Sequence, residues 1–169
     1  MSKHHVPRLD LPGIPDERFR YVRRDKREHE ALRNDFNHQV RADFRRHLAA
    51  NCRDELVAAG FDERQIADLA AGRNLPGYNV HHKHPLGDSG INDFSNLVLM
   101  DMPSHTELHM RVDPQIAHLA RGHEATIRMP VPPGSVYVHP SLIRQHKVTR
   151  RQADQSEDHE ITLRPEYPR

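Results

Sequence analysis

The stretch that decides the fold runs from Val80 to Arg111 and reads VHHKHPLGDSGINDFSNLVLMDMPSHTELHMR. Pro76-Gly77 marks a turn ahead of it, after which Tyr78-Asn79-Val80 reads as a short strand running into His81-His82. A loop follows with Pro85, Gly87, Asp88, Ser89, Gly90, Asn92 and Asp93. Leu97 to Met100 is an apolar run short enough for a second strand, and Pro103-Ser104 starts a helix carrying His105 and His109. On a helix, residues four apart project from one face, so these two imidazoles can share one metal ion. Successive residues of a strand point to opposite faces, so one member of the His81-His82 doublet can join that ion while the other faces elsewhere. The doublet thus suits two roles, third ligand and metal-free base. Three neutral imidazoles leave a fourth position open, the ligand count of a catalytic zinc site rather than a closed structural one. An imidazole of ordinary basicity can accept a proton near neutral pH. The string HTELH is not the HExxH of zinc proteases: Glu107 lies about 200° around the helix from His105, too far to serve as base at the same ion.

This segment resembles the HNH (ββα-metal, His-Me finger) endonuclease family, and within it the colicin-type and polymorphic-toxin nuclease domains. The matching positions are His81, His82, Pro85, Asn96, His105 and His109, with eight residues between Asn96 and His105. The resemblance implies that His81, His105 and His109 hold one divalent metal ion (Zn, Ni, Mg or Mn) and that His82 is the general base. Asn96 would be the middle residue of the family name, its amide bonding across the loop to hold the base-bearing strand. The loop between His82 and Asn96 is one residue shorter than in colicin nucleases, and their Gly-Gly is here Ser89-Gly90. The family also clamps phosphate with an arginine; Arg73, Lys83, His84 and Arg111 are the substrate-binding candidates, with no spacing argument to choose among them.

What the resemblance implies is a metal-dependent DNase of weak sequence selectivity, the toxin domain of a type VI-like or contact-dependent interbacterial effector. DNA and a cognate immunity protein would be its partners, with no small-molecule cofactor. It would act in the cytoplasm, or in a target cell's cytoplasm after secretion without a Sec signal peptide. The alternatives are a restriction or phage-type HNH nuclease, an RNase, or a non-catalytic zinc-stabilised nucleic-acid-binding module.

Outward from this segment the expected class is α+β: a helical N-terminal region packed on a ββα-metal core of residues 76–122. Residues 1–15, with Pro7, Pro12, Gly13 and Pro15, read as an extended or disordered leader. Residues 16–75 read as helical. Leu32, Phe36, Val40, Phe44 and Leu48 recur every four residues, Gly60 stops the first helical stretch, and Asp62 caps a short helix that Gly72 ends. Residues 123–169 read as an extension, in which Ala125–Met129 and Ser135–Val138 form a hairpin about Pro130–Gly134 and a polar tail follows. Residues 16–148 are expected to make one compact domain.

Composition bounds these readings. Of 169 residues 36% are apolar and none is Trp, so the core is lean and a metal would help it. A single cysteine, Cys52, excludes a disulfide framework and a cysteine-rich zinc finger. No window suits a membrane span, and the first ten residues lack the apolar core of a signal peptide. The net charge of +1 hides a pattern, +3 over residues 1–60, −4 over 61–110 and +2 over 111–169. An acidic, metal-holding centre between basic flanks fits that distribution.

Overall fold

The structure is a computed structural model that describes residues 8–162. The chain divides into two units, residues 1–139 and 140–169. Near its start, Arg18-Phe19-Arg20-Tyr21 alternates charge with ring, and this period of two governs the local fold. Asp16–Val22 is a strand, β1, which corrects the helical reading of residues 16–75 at its N-terminal end. Its partner lies far along the chain. β1 runs antiparallel to β4 (Glu124–Pro130), Phe19 opposite Ile127 and Tyr21 opposite Ala125, and this cross-strand pairing outweighs the local density of charge.

Helix α1 (Lys26–Asp35) begins where Asp25 Oδ1 accepts the amides of Arg27 and Glu28. It continues through a π-helical turn at Phe36–Val40 into α2 (Arg41–Asn51). A strict four-residue repeat drifts by about 40° per step around a helix of 3.6 residues per turn, and the wide turn takes up part of that drift. Phe36, Phe44 and Leu48 of the apolar stripe are buried as a result. Two short helices follow, α3 (Arg53–Ala58) and α4 (Glu63–Ala70). The latter opens on a reciprocal capping box between Asp62 and Gln65 and is closed by Gly72 at φ +74°.

Strands β2 (Tyr78–His82) and β3 (Leu97–Asp101) pair antiparallel, with His81 opposite Val98 and His82 opposite Leu97. The short β5 (Val136–Tyr137) lies parallel to the other edge of β3. The expected hairpin is therefore corrected: its two arms are strands, but β4 joins β1 and β5 joins β3. Pro130, Pro132 and Pro133 carry no N–H, so the connecting segment cannot close a ladder between them. Helix α5 (Met102–Ile116) is capped by Asp101, whose Oδ1 accepts the Ser104 amide at 2.8 Å, and it packs on β2, β3 and β4.

One apolar cluster joins the two small sheets. Val98 and Met100 of β3, Tyr21 of β1, Ile127 and Met129 of β4, and Leu108 and Val112 of α5 meet in it with Leu11 and Tyr137. Of the leader, residues 8–15 turn at Pro12-Gly13 and are fastened, and residues 1–7 lie outside the described residues. The Arg111 guanidinium donates to the Leu9 carbonyl, Glu107 accepts the Leu9 amide, and the Tyr137 hydroxyl donates to the Pro12 carbonyl. The first unit thus includes the described part of the leader and ends at His139. In the second unit the expected polar tail is helical, α6 (Pro140–Thr162), because Arg, Gln and Lys are good helix formers and polarity does not preclude a helix. Residues 163–169 lie outside the described residues. The class is α+β, and among the described residues no helix is long and apolar enough to cross a membrane.

Candidate metal centre and the cleft around it

Register decides where the histidine doublet points. Residues directly opposite in an antiparallel pair share a face, so His81 lies on the face of Val98, toward α5, and His82 on the face of Leu97, toward α1 and the π turn. On the α5 side, His81 meets His105 and His109. Ring centroids are 5.2 Å apart for His81 and His105, 5.5 Å for His81 and His109, and 4.6 Å for His105 and His109. On the other side, the His82 ring packs 4.4 Å from that of Phe36, and it takes no part in the trio.

Three imidazole nitrogens, one from each ring of the trio, lie within 4.8 Å of one another. A tetrahedral ion about 2.1 Å from each would need them about 3.4 Å apart, a difference that small side-chain rotations close. The donor set fits such an ion. Burial lowers the pKa of His81 well below the ordinary value, with His105 and His109 adding to the effect; burial and His109 lower that of His105 to about 4. Both rings are therefore neutral at pH 7 and offer lone pairs. His109 is exposed at the cleft surface, and its Nδ1 lies 3.3 Å from Asp113 Oδ1, so a proton donated there leaves Nε2 bare for an ion. Cys52 lies between α2 and α3 and is no part of the cluster.

Asn96 sits in the loop rather than in the cleft. Its Oδ1 accepts the His84 amide at 2.9 Å, while Nδ2 donates to the His84 and Ile91 carbonyls at 3.0 and 2.9 Å. Gly90 fits against the same loop so tightly that a Cβ there would lie 2.0 Å from the His84 carbonyl oxygen. The remaining acidic residues of the segment are spoken for by backbone. Asp88 accepts the Val22 amide, Asp93 the Ser95 amide, and Asp101 the amides of Ser104 and His139.

A cleft of about 370 Å³ opens over the trio, and His81, His82, His105 and His109 all line it. None of the four substrate-binding candidates lines it. Arg73 is exposed and paired with Asp68. Arg111 is held by Glu107 and the Leu9 carbonyl. Lys83 and His84 line a separate groove with Phe19 and Ile91 beyond the end of β2. The cations that line the main cleft are Arg33 and Arg41, with His29 and Asn37 beside them. Each guanidinium carbon lies 5.7 Å from the centroid of the Phe36 ring, one on the α1 side and one on the α2 side of the π turn. Among the described residues neither forms an ion pair, and burial together with Arg41 lowers the pKa of Arg33. These two like charges line one side of the cleft, whose lining also includes the Asp113 carboxylate of α5. Positions 33, 37 and 41 share a helix face beside the apolar stripe, and that four-residue spacing was the available sequence signal. Nothing in the sequence indicated which end of the chain would face the histidines.

No family model matches the chain, and no solved structure matches it. A similar protein is the uncharacterized protein YhhZ of Escherichia coli (strain K12), 30% identical over 137 residues. The match covers 80% of this chain and 34% of that protein, so the chain spans about a third of the relative's length.

Proposed function

We propose that the cleft is the active site of an HNH-type, metal-dependent nuclease that hydrolyses DNA phosphodiester bonds with weak sequence selectivity. The observation that carries this reading is the division of the doublet across β2: His81 joins His105 and His109 in a three-nitrogen cluster, while His82 stands unshared on the opposite face but in the same cleft. The order strand, loop, strand, helix around that division supports the reading, since it is the order that the resemblance implies. A divalent ion held by His81, His105 and His109 would neutralise charge developing on the scissile phosphate and on the leaving 3′ oxygen.

The chain's own residues supply the rest. His82 takes a proton from water as the water oxygen bonds to phosphorus; the bond from phosphorus to the 3′ oxygen breaks, and the leaving oxygen acquires a proton from solvent. Arg33 and Arg41 grip the nonbridging oxygens, and Asn37 between them offers an uncharged donor. These contacts reach the backbone and no base edge, which accounts for weak selectivity and predicts strong salt dependence. The resemblance to toxin nucleases makes this a DNA-degrading effector domain whose producer carries a cognate immunity protein. A longer relative that contains a matching segment supports a module borne on a larger protein. The absence of any thiolate from the cluster favours an open catalytic site over a closed structural one.

The test is cleavage of supercoiled plasmid by the purified protein with Mg²⁺, Mn²⁺, Ni²⁺ or Zn²⁺, with matched RNA in parallel. Wild type should nick and linearise DNA, and His82→Ala should lose about 10³-fold in rate while binding the same amount of metal. Plasmid left intact with all four ions overturns the enzyme reading. Faster cleavage of the RNA makes the protein a ribonuclease.

A further inference from the structure

Asn92 is a loop residue outside the matching positions of the family, and it makes three polar contacts. Its Oδ1 lies 2.9 Å from His82 Nε2, and its Nδ2 donates to the Leu32 carbonyl at 2.9 Å and to Asp35 Oδ2 at 3.1 Å. The two acceptors on α1 fix which way the amide faces. With the amide reversed, its oxygen would confront a carbonyl and a carboxylate with no proton between them, and the part-buried Leu32 carbonyl and the exposed Asp35 carboxylate would both lose their donor. Oδ1 must therefore face the imidazole. An amide oxygen has no proton to give, so the bond exists only when His82 Nε2 carries one. In the other neutral tautomer two lone pairs would meet at 2.9 Å.

From this geometry we infer that Asn92 is a positioning residue: clamped by Leu32 and Asp35, it holds His82 as the Nε2–H tautomer and leaves Nδ1 as the nitrogen that accepts a proton. The inference rests on the proposed role of His82 as base, and it goes beyond that role by assigning the atom and the residue that enforces it. Protonation at Nδ1 leaves the bond from Nε2 to Asn92 in place, so the ring gains a proton without losing a partner. Phe36 packs against the same ring and restricts its rotation. Because Asp35 and Leu32 belong to α1 while His82 belongs to β2, the amide also ties the helix that bears Arg33 to the strand that bears the base.

The experiment reads the tautomer directly, by long-range ¹H–¹⁵N correlation of the His82 ring in the full chain, assigned by its disappearance in His82→Ala. Wild type should show Nε2 protonated and Nδ1 bare. Asn92→Ala should give a mixed or inverted ring and cleave plasmid at least about tenfold more slowly at unchanged KM. The swap Asn92→Asp with Asp35→Asn keeps an acceptor toward His82 and a donor between the two positions, and should restore both signals. Wild type with its proton on Nδ1, or an Asn92→Ala spectrum identical to wild type in a protein of unchanged circular dichroism, overturns the inference. The spectrum needs no substrate, so a wild type that fails to cleave nucleic acid sinks the nuclease reading and leaves this one to be judged on the ring alone.

Discussion

The two walls of the cleft are built in different ways. The wall made by β2, β3 and α5 comes from one contiguous stretch, Tyr78 to Ile116, and carries the three imidazoles. The wall made by α1, the π turn and α2 lies some forty residues upstream and carries Arg33, Phe36, Asn37 and Arg41. One wall gathers imidazoles and the other guanidinium groups, and His82 stands between them. The contrast teaches that one local stretch brings the three imidazoles together, whereas the two arginines reach the same cleft only through long-range packing.

Removing one member of the first wall should have the largest effect. His105→Ala is expected to abolish tight metal binding and reduce plasmid cleavage about 10³-fold. It should also remove the thermal stabilisation expected of wild type on adding zinc, about 2.7 kcal/mol at a hundredfold excess over Kd. Equal zinc-dependent melting shifts in both proteins would break the assignment. Gly90→Ala attacks the loop that joins the two strands. A methyl group 2.0 Å from a backbone oxygen forces the chain apart, and a loss of about 3 kcal/mol in denaturant stability is expected. Arg33→Ala with Arg41→Ala tests the second wall. Plasmid affinity should fall about tenfold or more, and the slope of log K against log salt should shrink by about 2, while metal content stays constant. Arg73→Ala, remote from the cleft, should change neither quantity. An equal effect of Arg73→Ala would move the substrate path elsewhere.

The same contrast explains what was legible in the sequence. Tyr78–His82, Leu97–Asp101 and Met102–Ile116 each declare themselves through local signals: a turn before, an apolar run within, and a proline at the helix start. The i, i+4 spacing of His105 and His109 needs only a helix to become a shared face. β1 was obscured because Arg18 and Arg20 outweigh Phe19 and Tyr21 in any window average, and because its partner is about a hundred residues away. Ala125–Met129 was rightly an extended segment but wrongly a hairpin arm, since strand pairing is a tertiary choice that proline-rich connections only constrain. The cations of the cleft were not foreseen for the same reason: Arg73 and Arg111 are close to the motif in sequence, yet they lie outside the cleft, paired with Asp68 and Glu107. Asn92 carried no spacing signal at all, because the acceptors that fix it lie on α1.

The pairing of β1 with β4 also sets a timetable. On a ribosome β1 emerges about a hundred residues ahead of the strand that covers it, so its backbone donors and acceptors wait until α5 has been made. An apolar strand left open that long would recruit others, and the outward Glu17, Arg18 and Arg20 make it a poor template for doing so. The charges that hide the strand from a reader of the sequence are therefore the ones that let it wait safely. The core shared by β1, β4 and α5 closes only when residues 124–130 arrive, and a half-made chain has no finished cleft.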